Sequence, residues 1–315
     1  MTVRNVVVVG TGMMGPGIAA VSVLAGFPTI LVGRRSARIR DGLDRCQEQI
    51  DQLVDNDLVS PSSAERAVPL LSGSRELESA VQNADLIVEA ITEDLHIKQQ
   101  LFTTLESYIR EDTIITSNTS GLSITAIAAP MRRPERAVTS HCWYPGHLMP
   151  LVEVVMGERT SEETAQAVVE FYRICGKEPV LVRKDMRGQL ANRVFQAVLR
   201  EAIYIVQEGL ATPEDIDTAI RTSFGLRFPV WGPLMHLDAV GLDLALAVQE
   251  YVLPGLDNVP EPPDLLRDKV ASGELGVKTG KGFYDWSEHD INALAANRDE
   301  FIIRVLQTRK KEKGE

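Results

Sequence analysis

The residues of this 315-residue chain best placed for chemistry lie between Ser140 and Val155, in the run S-H-C-W-Y-P-G-H-L-M-P-L-V-E-V-V. An apolar, β-branched stretch (Leu151, Val152, Val154, Val155) encloses one acid, Glu153, and His141 lies upstream beyond Pro145 and Pro150. A buried strand holds an ionised carboxylate only when a partner compensates it. The two prolines turn the chain back, so a histidine ending one strand reaches an acid on the next. A carboxylate held against an imidazole favours the imidazolium and fixes the tautomer, as a general base requires. The plainer reading of the same pair is a satisfied core histidine beside a strand-edge acid.

Other elements supply a context for the pair. Val6 to Val9 reads as a central parallel strand buried on both faces. Gly10-Thr11-Gly12-Met13-Met14-Gly15 follows, then a helical pattern to about Gly26. Strand, glycine loop and helix start together make a dinucleotide fingerprint. Gly10 permits the tight turn and Gly12 the approach of a pyrophosphate, while Gly15 packs the helix against the strand. Met13 and Met14 complete the loop. A second strand, Thr29 to Val32, ends in Gly33-Arg34-Arg35-Ser36, where an NAD site usually places an acid. Two guanidiniums and a hydroxyl suit a 2′-phosphate, which favours NADP(H). Alternatively Arg34 and Arg35 begin a solvated helix with Ser36 as its cap.

An amphipathic helix is expected from Ser36 to about Ser60, long enough to form an arm over the substrate mouth. Leu86 to Val88 and Thr113 to Thr116 read as further buried strands. Glu93 follows the first, and Asn118 and Ser120 the second, at the carboxyl edge where open α/β sheets bind ligands, while Lys98 lies on a helix expected from about Leu95. A plain polar turn is the duller account of Asn118 and Ser120.

Composition narrows the class. The net charge of −11 argues against nucleic acid and anionic membranes as partners. Cys46, Cys142 and Cys175 form neither a disulfide framework nor a metal cluster, and three-ligand histidine spacing is absent, so no metal is expected. With no signal segment and no run of transmembrane length, a cytoplasmic protein is expected.

Taken together the segments G-T-G-M-M-G-P-G-I-A, A-D-L-I-V-E-A-I-T-E-D-L-H-I-K, S-N-T-S-G-L-S-I, H-x-x-x-P with L-V-E-V-V, and K-T-G-K-G-F-Y-D-W resemble the 3-hydroxyacyl-CoA dehydrogenase family, over almost the whole chain. The resemblance implies an oxidoreductase interconverting a 3-hydroxy acid or 3-hydroxyacyl-CoA and its 3-keto form, with NAD as the family's usual cofactor. It makes His141 the catalytic base and Glu153 the acid that orients it. It makes Ser120 and Asn192 substrate-binding residues of the catalytic set, and it lines the cofactor with Glu93, Lys98 and Lys278. Two features depart from the family pattern. Tyr144 stands where the family has Asn, and the segment after the second strand is acidic (Glu48, Asp51, Asp55, Asp57), opposing a polyanionic thioester. The wording around Tyr144 is closer to relatives that oxidise smaller hydroxy acids without CoA. A ring-bearing substrate stacked on Trp143, Tyr144 or Trp231 is a further alternative, and a non-catalytic NAD(P) sensor is the competing class.

The expected fold is α/β, a Rossmann-type doubly wound parallel sheet over residues 1–184 followed by an all-helical substrate and dimerisation domain over 185–315. Glu178 to Val182 reads as the last strand, preceded by a helix with a Thr160–Glu163 capping box. The helix Gln189 to Gln207 is apolar on nearly every face and should be buried in a bundle or a homodimer interface. Helices are expected at Pro213 to Arg221, Leu237 to Val252 and Asp290 to about Leu306, with a frayed lysine-rich tail. Phe228 to Pro233 forms an aromatic loop, a pocket wall or a core plug. His147 and His236 have no assigned role, although His147 is a candidate to face the substrate.

Overall fold

A computed structural model describes residues 3–313. Eight strands form one sheet in the order β3-β2-β1-β4-β5-β6-β7-β8: β1 Val6–Val9, β2 Thr29–Val32, β3 Leu71–Ser74, β4 Leu86–Glu89, β5 Ile114–Ser117, β6 Ala137–Cys142, β7 Leu151–Met156 and β8 Glu178–Val182. All neighbours are parallel except β6 and β7. This is the doubly wound sheet the sequence implies, with one edge strand the sequence reading did not find. β3 is L-S-G-S, too polar and small to read as a strand, and it is held by backbone pairing to β2.

The β1 valines alternate between two cores. Val6 and Val8 pack with helix Gly15–Leu24 and helix Glu162–Ile174, and Val7 and Val9 pack with Phe102, Leu105 and Ile124. Both faces of the sheet are therefore covered, which is why β1 is unbroken valine. The loop after β1 requires glycine at two points. Gly10 sits at φ +131°, and a Cβ there would lie 2.2 Å from the Ala90 carbonyl oxygen; one on Gly15 would lie 1.9 Å from that of Gly10.

Several boundaries differ from the sequence reading. Helix Ser36–Asp55 has Arg35 at its N-cap with no side-chain cap, so Ser36 is inside the helix. Ile39, Cys46, Ile50 and Leu53 are buried, so this segment packs on the core instead of projecting as an arm. The helix before β8 is capped by Ser161, whose Oγ accepts from the Thr164 amide, while Thr160 donates to the Ala137 carbonyl. The last helix runs Ile291–Lys313, and its end is tied down: Gln307 donates to the Asn56 carbonyl and Lys310 to those of Asp57 and Leu58.

Two compact units result. One reaches Arg193 and resumes at Asn297; the other is Val194–Ala296. The first unit therefore extends past the expected boundary at 184 and includes the last stretch of the C-terminal helix, because Ile303 is buried with Leu53 and Leu148. The second unit is helical. Gly241, at φ +97°, divides the expected helix Leu237 to Val252 into Pro233–Val240 and Leu242–Val252. No residue of this unit is buried, and Val230, Leu234 and Tyr251 are largely exposed. Helix Ala191–Gln207, expected to be buried, has no buried residue within the single chain.

The β6–β7 connection contains a cis Tyr144–Pro145 bond and is held by Lys177. That side chain is buried and donates to the carbonyls of Gly146, His147 and Met149 at 2.8, 3.1 and 3.0 Å. Burial pushes its ammonium down to about 8. Replacing Lys177 with Met leaves three carbonyls without their donor; a loss of about 3 kcal/mol is expected, read as a lower denaturant midpoint.

Candidate active site

β6 and β7 pair antiparallel with His141 directly opposite Glu153. Cross-strand partners share a face of the sheet, so the two side chains meet. His141 Nδ1 and Glu153 Oε2 are 2.7 Å apart, and both residues are buried. Trp143, one residue past the end of β6, donates its indole Nε1–H to the same oxygen at 3.0 Å. The other oxygen, Oε1, accepts the backbone amides of Leu190 and Ala191 at 2.8 and 2.7 Å. Burial pushes the Glu153 carboxyl up, but the donors from His141, Ala191, Trp143 and Leu190 outweigh it and bring it down to about 2. The acid is thus a fixed anion. His141 holds its proton on Nδ1 against it, which leaves Nε2 as the nitrogen available to a substrate.

A cavity of about 900 Å³ opens at the carboxyl edge of the sheet. Gly10, Gly12, Met13, Met14, Arg34, Glu93, Asn118, Ser120, His141 and Tyr144, all singled out in the sequence, line it together with Arg75. A second cavity, about 550 Å³, is lined by Thr11, Gly12, Arg34, Arg35 and Arg38. Arg75 and Arg38 were not read from the sequence, because single arginines beside β3 and on a helix look like solvated charges. A Cβ on Gly12 would meet nothing within 4 Å, so the backbone is open to a ligand there. Arg45 steadies the loop by donating to the carbonyls of Thr11 and Gly12. Glycine loop, helix start and cavity fit a dinucleotide.

Other expected site residues have different positions. Gly15 packs beneath the loop and Ser36 lies on its helix; neither lines either cavity. Lys98 is buried under the cavity, its ammonium 2.6 Å from Glu89 Oε1 and 3.3 Å from Glu93 Oε2. Its long stem lets it be buried as a structural cation, so it acts on the cavity through Glu93. Glu93 in turn accepts Thr119 Oγ1 at 2.5 Å and the Ser120 amide at 3.1 Å. Burial pushes Glu93 up, but Thr119, Lys98 and Ser120 together hold it below the usual carboxylate range. Asn118 accepts the Cys142 amide at 2.8 Å, and Asn192 donates to the Ser120 carbonyl at 3.0 Å. Lys278 and Trp231 belong to the second unit, where Lys278 is exposed and Trp231 is half-buried beside His236. His147 does not line the His141 cavity. It is buried, its Nε2 is 2.7 Å from Gln52 Oε1, and it borders a different cavity.

A Rossmann-type sheet with a histidine–carboxylate pair at its carboxyl edge defines a nicotinamide-dependent dehydrogenase. Residues 5–186 match the 3-hydroxyacyl-CoA dehydrogenase NAD binding domain, and residues 188–286 match that family's C-terminal domain. The chain belongs to this family. It is 33% identical over 306 residues to 5-formyl-3-hydroxy-2-methylpyridine 4-carboxylate 5-dehydrogenase of Mesorhizobium japonicum, covering 96% of this chain and 97% of that one. A crystal structure of an enzyme of that name, described as an NAD+-dependent dismutase, matches with TM-score 0.90 at 31% identity over 99% of both chains. The (S)-3-hydroxybutyryl-CoA dehydrogenase of Ralstonia eutropha matches with TM-score 0.76 at 34% identity, over 90% of this chain and 99% of the other.

The depressed Glu153 group has a definite sign in stability. Its contribution, about 3 kcal/mol, is complete above the ordinary value of 4.5 and is lost as pH falls toward about 2. Trp143→Phe keeps a ring but removes one donor, so the folded value rises. The loss of stability across this window should become shallower, as checked by denaturant titrations at stepped acid pH.

Proposed function

We propose that the chain oxidises or reduces a small, ring-bearing hydroxy acid that carries no CoA. One observation supports this most. Tyr144, in the family's Asn position, lines the cavity with His141, so a flat aromatic wall replaces an amide at the reacting end. The likeness to a pyridine-carboxylate dehydrogenase over the full length supports it too. A 3-hydroxyacyl-CoA remains the family's substrate class and is the comparison any assay needs.

The mechanism follows from the residues. A bound nicotinamide supplies a hydride acceptor, or a donor in reverse. His141 Nε2 takes the proton of the substrate hydroxyl, and Glu153, fixed by four donors, stabilises the imidazolium that forms. Ser120 sits beside the same cavity with its amide held by Glu93 and its carbonyl by Asn192, so its hydroxyl is placed for the substrate oxygen. Reduction runs through the same atoms reversed. We further read the cofactor as NADP(H), since Arg34, Arg35 and Arg38 surround one cavity beside the glycine loop. We read the location as cytoplasmic; no helix among the described residues is long and apolar enough to cross a membrane.

We also propose a homodimer through Val194–Ala296. A unit of this size without one buried residue lacks the apolar burial that offsets chain entropy, and its exposed leucines and valines need a cover.

His141→Gln should bind reduced cofactor as the parent does and lose roughly 10²–10⁴-fold in turnover. Assays with NADPH and NADH on hydroxy acids and their CoA thioesters decide substrate and cofactor together; faster thioester turnover, or preference for NADH, overturns the corresponding reading. Light scattering should give twice the chain mass, with a melting temperature that falls on dilution.

A further inference from the structure

The last stretch of chain supplies a cation that the mechanism does not use. The family match ends at residue 286, and helix Ile291–Lys313 lies beyond it. From Asn297 this helix belongs to the dinucleotide-binding unit, fixed by Ile303 in the core and by Gln307 and Lys310 on the carbonyls of Asn56, Asp57 and Leu58. More than a turn before Ile303, the Arg298 guanidinium lies over the Tyr144 ring, 5.1 Å from its centroid. Tyr144 is 49% exposed and lines the His141 cavity.

We propose that Arg298, braced on the Tyr144 ring, anchors a free carboxylate of the substrate. Its Nε and Nη2 face Asp299 Oδ1 at 2.8 and 2.7 Å, and Nη1 takes no hydrogen bond among the described residues. The Asp299 contact sets the plane of the fork and leaves one edge open, with the side chain 43% exposed. A guanidinium stacked on an aromatic ring gives up part of its hydration while keeping its in-plane donors, the arrangement suited to a carboxylate.

Charge placement points the same way. The arginines lining the cavity, Arg34 and Arg75, follow β2 and β3, at the far end of the strand order from β6, whereas Arg298 reaches it only through the Tyr144 ring. Near Ser120 the neighbouring charge is the anion Glu93. An anionic substrate reacting at His141 therefore needs a cation from elsewhere, and the C-terminal helix brings one to the ring beside that histidine. The Tyr144 departure and the extra helix thus act as one device, a ring and the cation that lies on it. The proposal rests on the reading of the substrate as a free hydroxy acid, and it names the group by which that acid is held.

The experiment compares parent, Arg298→Gln and Arg298→Lys on an aromatic hydroxy acid and on its carboxamide, with affinity for the reduced cofactor the parent prefers as the folding control. The parent should favour the acid by at least roughly tenfold, as expected for a charge-assisted contact. Arg298→Gln should lose roughly tenfold to a hundredfold in kcat/KM on the acid but little on the amide, with Arg298→Lys recovering only part. Equal losses on both substrates would mean a structural arginine and overturn the proposal while leaving the substrate class standing. A parent that turns over thioesters and no free acid overturns both. Should the variants not fold, competitive inhibition of the parent decides: benzoate should bind at least roughly tenfold tighter than benzamide, and equal inhibition refutes the anchor.

Discussion

The carboxylate of Glu153 is the constraint on which the first unit depends. It is buried, it is charged, and its four donors come from three places: the end of β6, the turn after it, and the start of the helix that follows β8. An anion in such a place is tolerated only while all of them stay put. The same requirement therefore holds the hairpin, the orientation of His141 and the entry of helix Ala191–Gln207. Fold and reactivity share one set of hydrogen bonds, with little freedom to change one alone.

A second buried network does comparable work under the cofactor side of the cavity. Glu89 ends β4 and takes Lys98, Ser117 Oγ and the Ile91 amide; Lys98 then reaches Glu93, which holds Thr119 and Ser120. A buried ion pair offers little net stability, because desolvation consumes much of the attraction. Its value lies in position. It ties the exits of β4 and β5 together, so that Ser120 and Glu93 face the cavity from a fixed floor.

What could be read from the sequence follows from where the chemistry is local. The β1 valines, the glycine loop and the His141–Glu153 pair were legible because strand burial, loop sterics and charge compensation each act over a few residues. β3 was not, since L-S-G-S has no apolar signature and owes its pairing to β2. The resemblance alone puts Lys98 at the cofactor, and its burial against Glu89 and Glu93 is a contact that no local pattern reports. Helix Ala191–Gln207 read as buried because its composition requires a cover, yet none of its residues is buried in the single chain. The return of the C-terminal helix was equally hidden: Arg298 meets Tyr144, and Lys310 meets Asp57, across separations that no periodicity reports.

That return has a consequence for how the protein is made. Leu53 and Leu148 leave the ribosome long before Ile303, their core partner, and the carbonyls of Asn56 to Leu58 wait for Gln307 and Lys310. The nucleotide-binding unit is therefore finished only after the helical unit has been translated in full. Vectorial synthesis, which lets most leading domains mature first, leaves the Leu53–Leu148 seam of this one open until its last helix has been made.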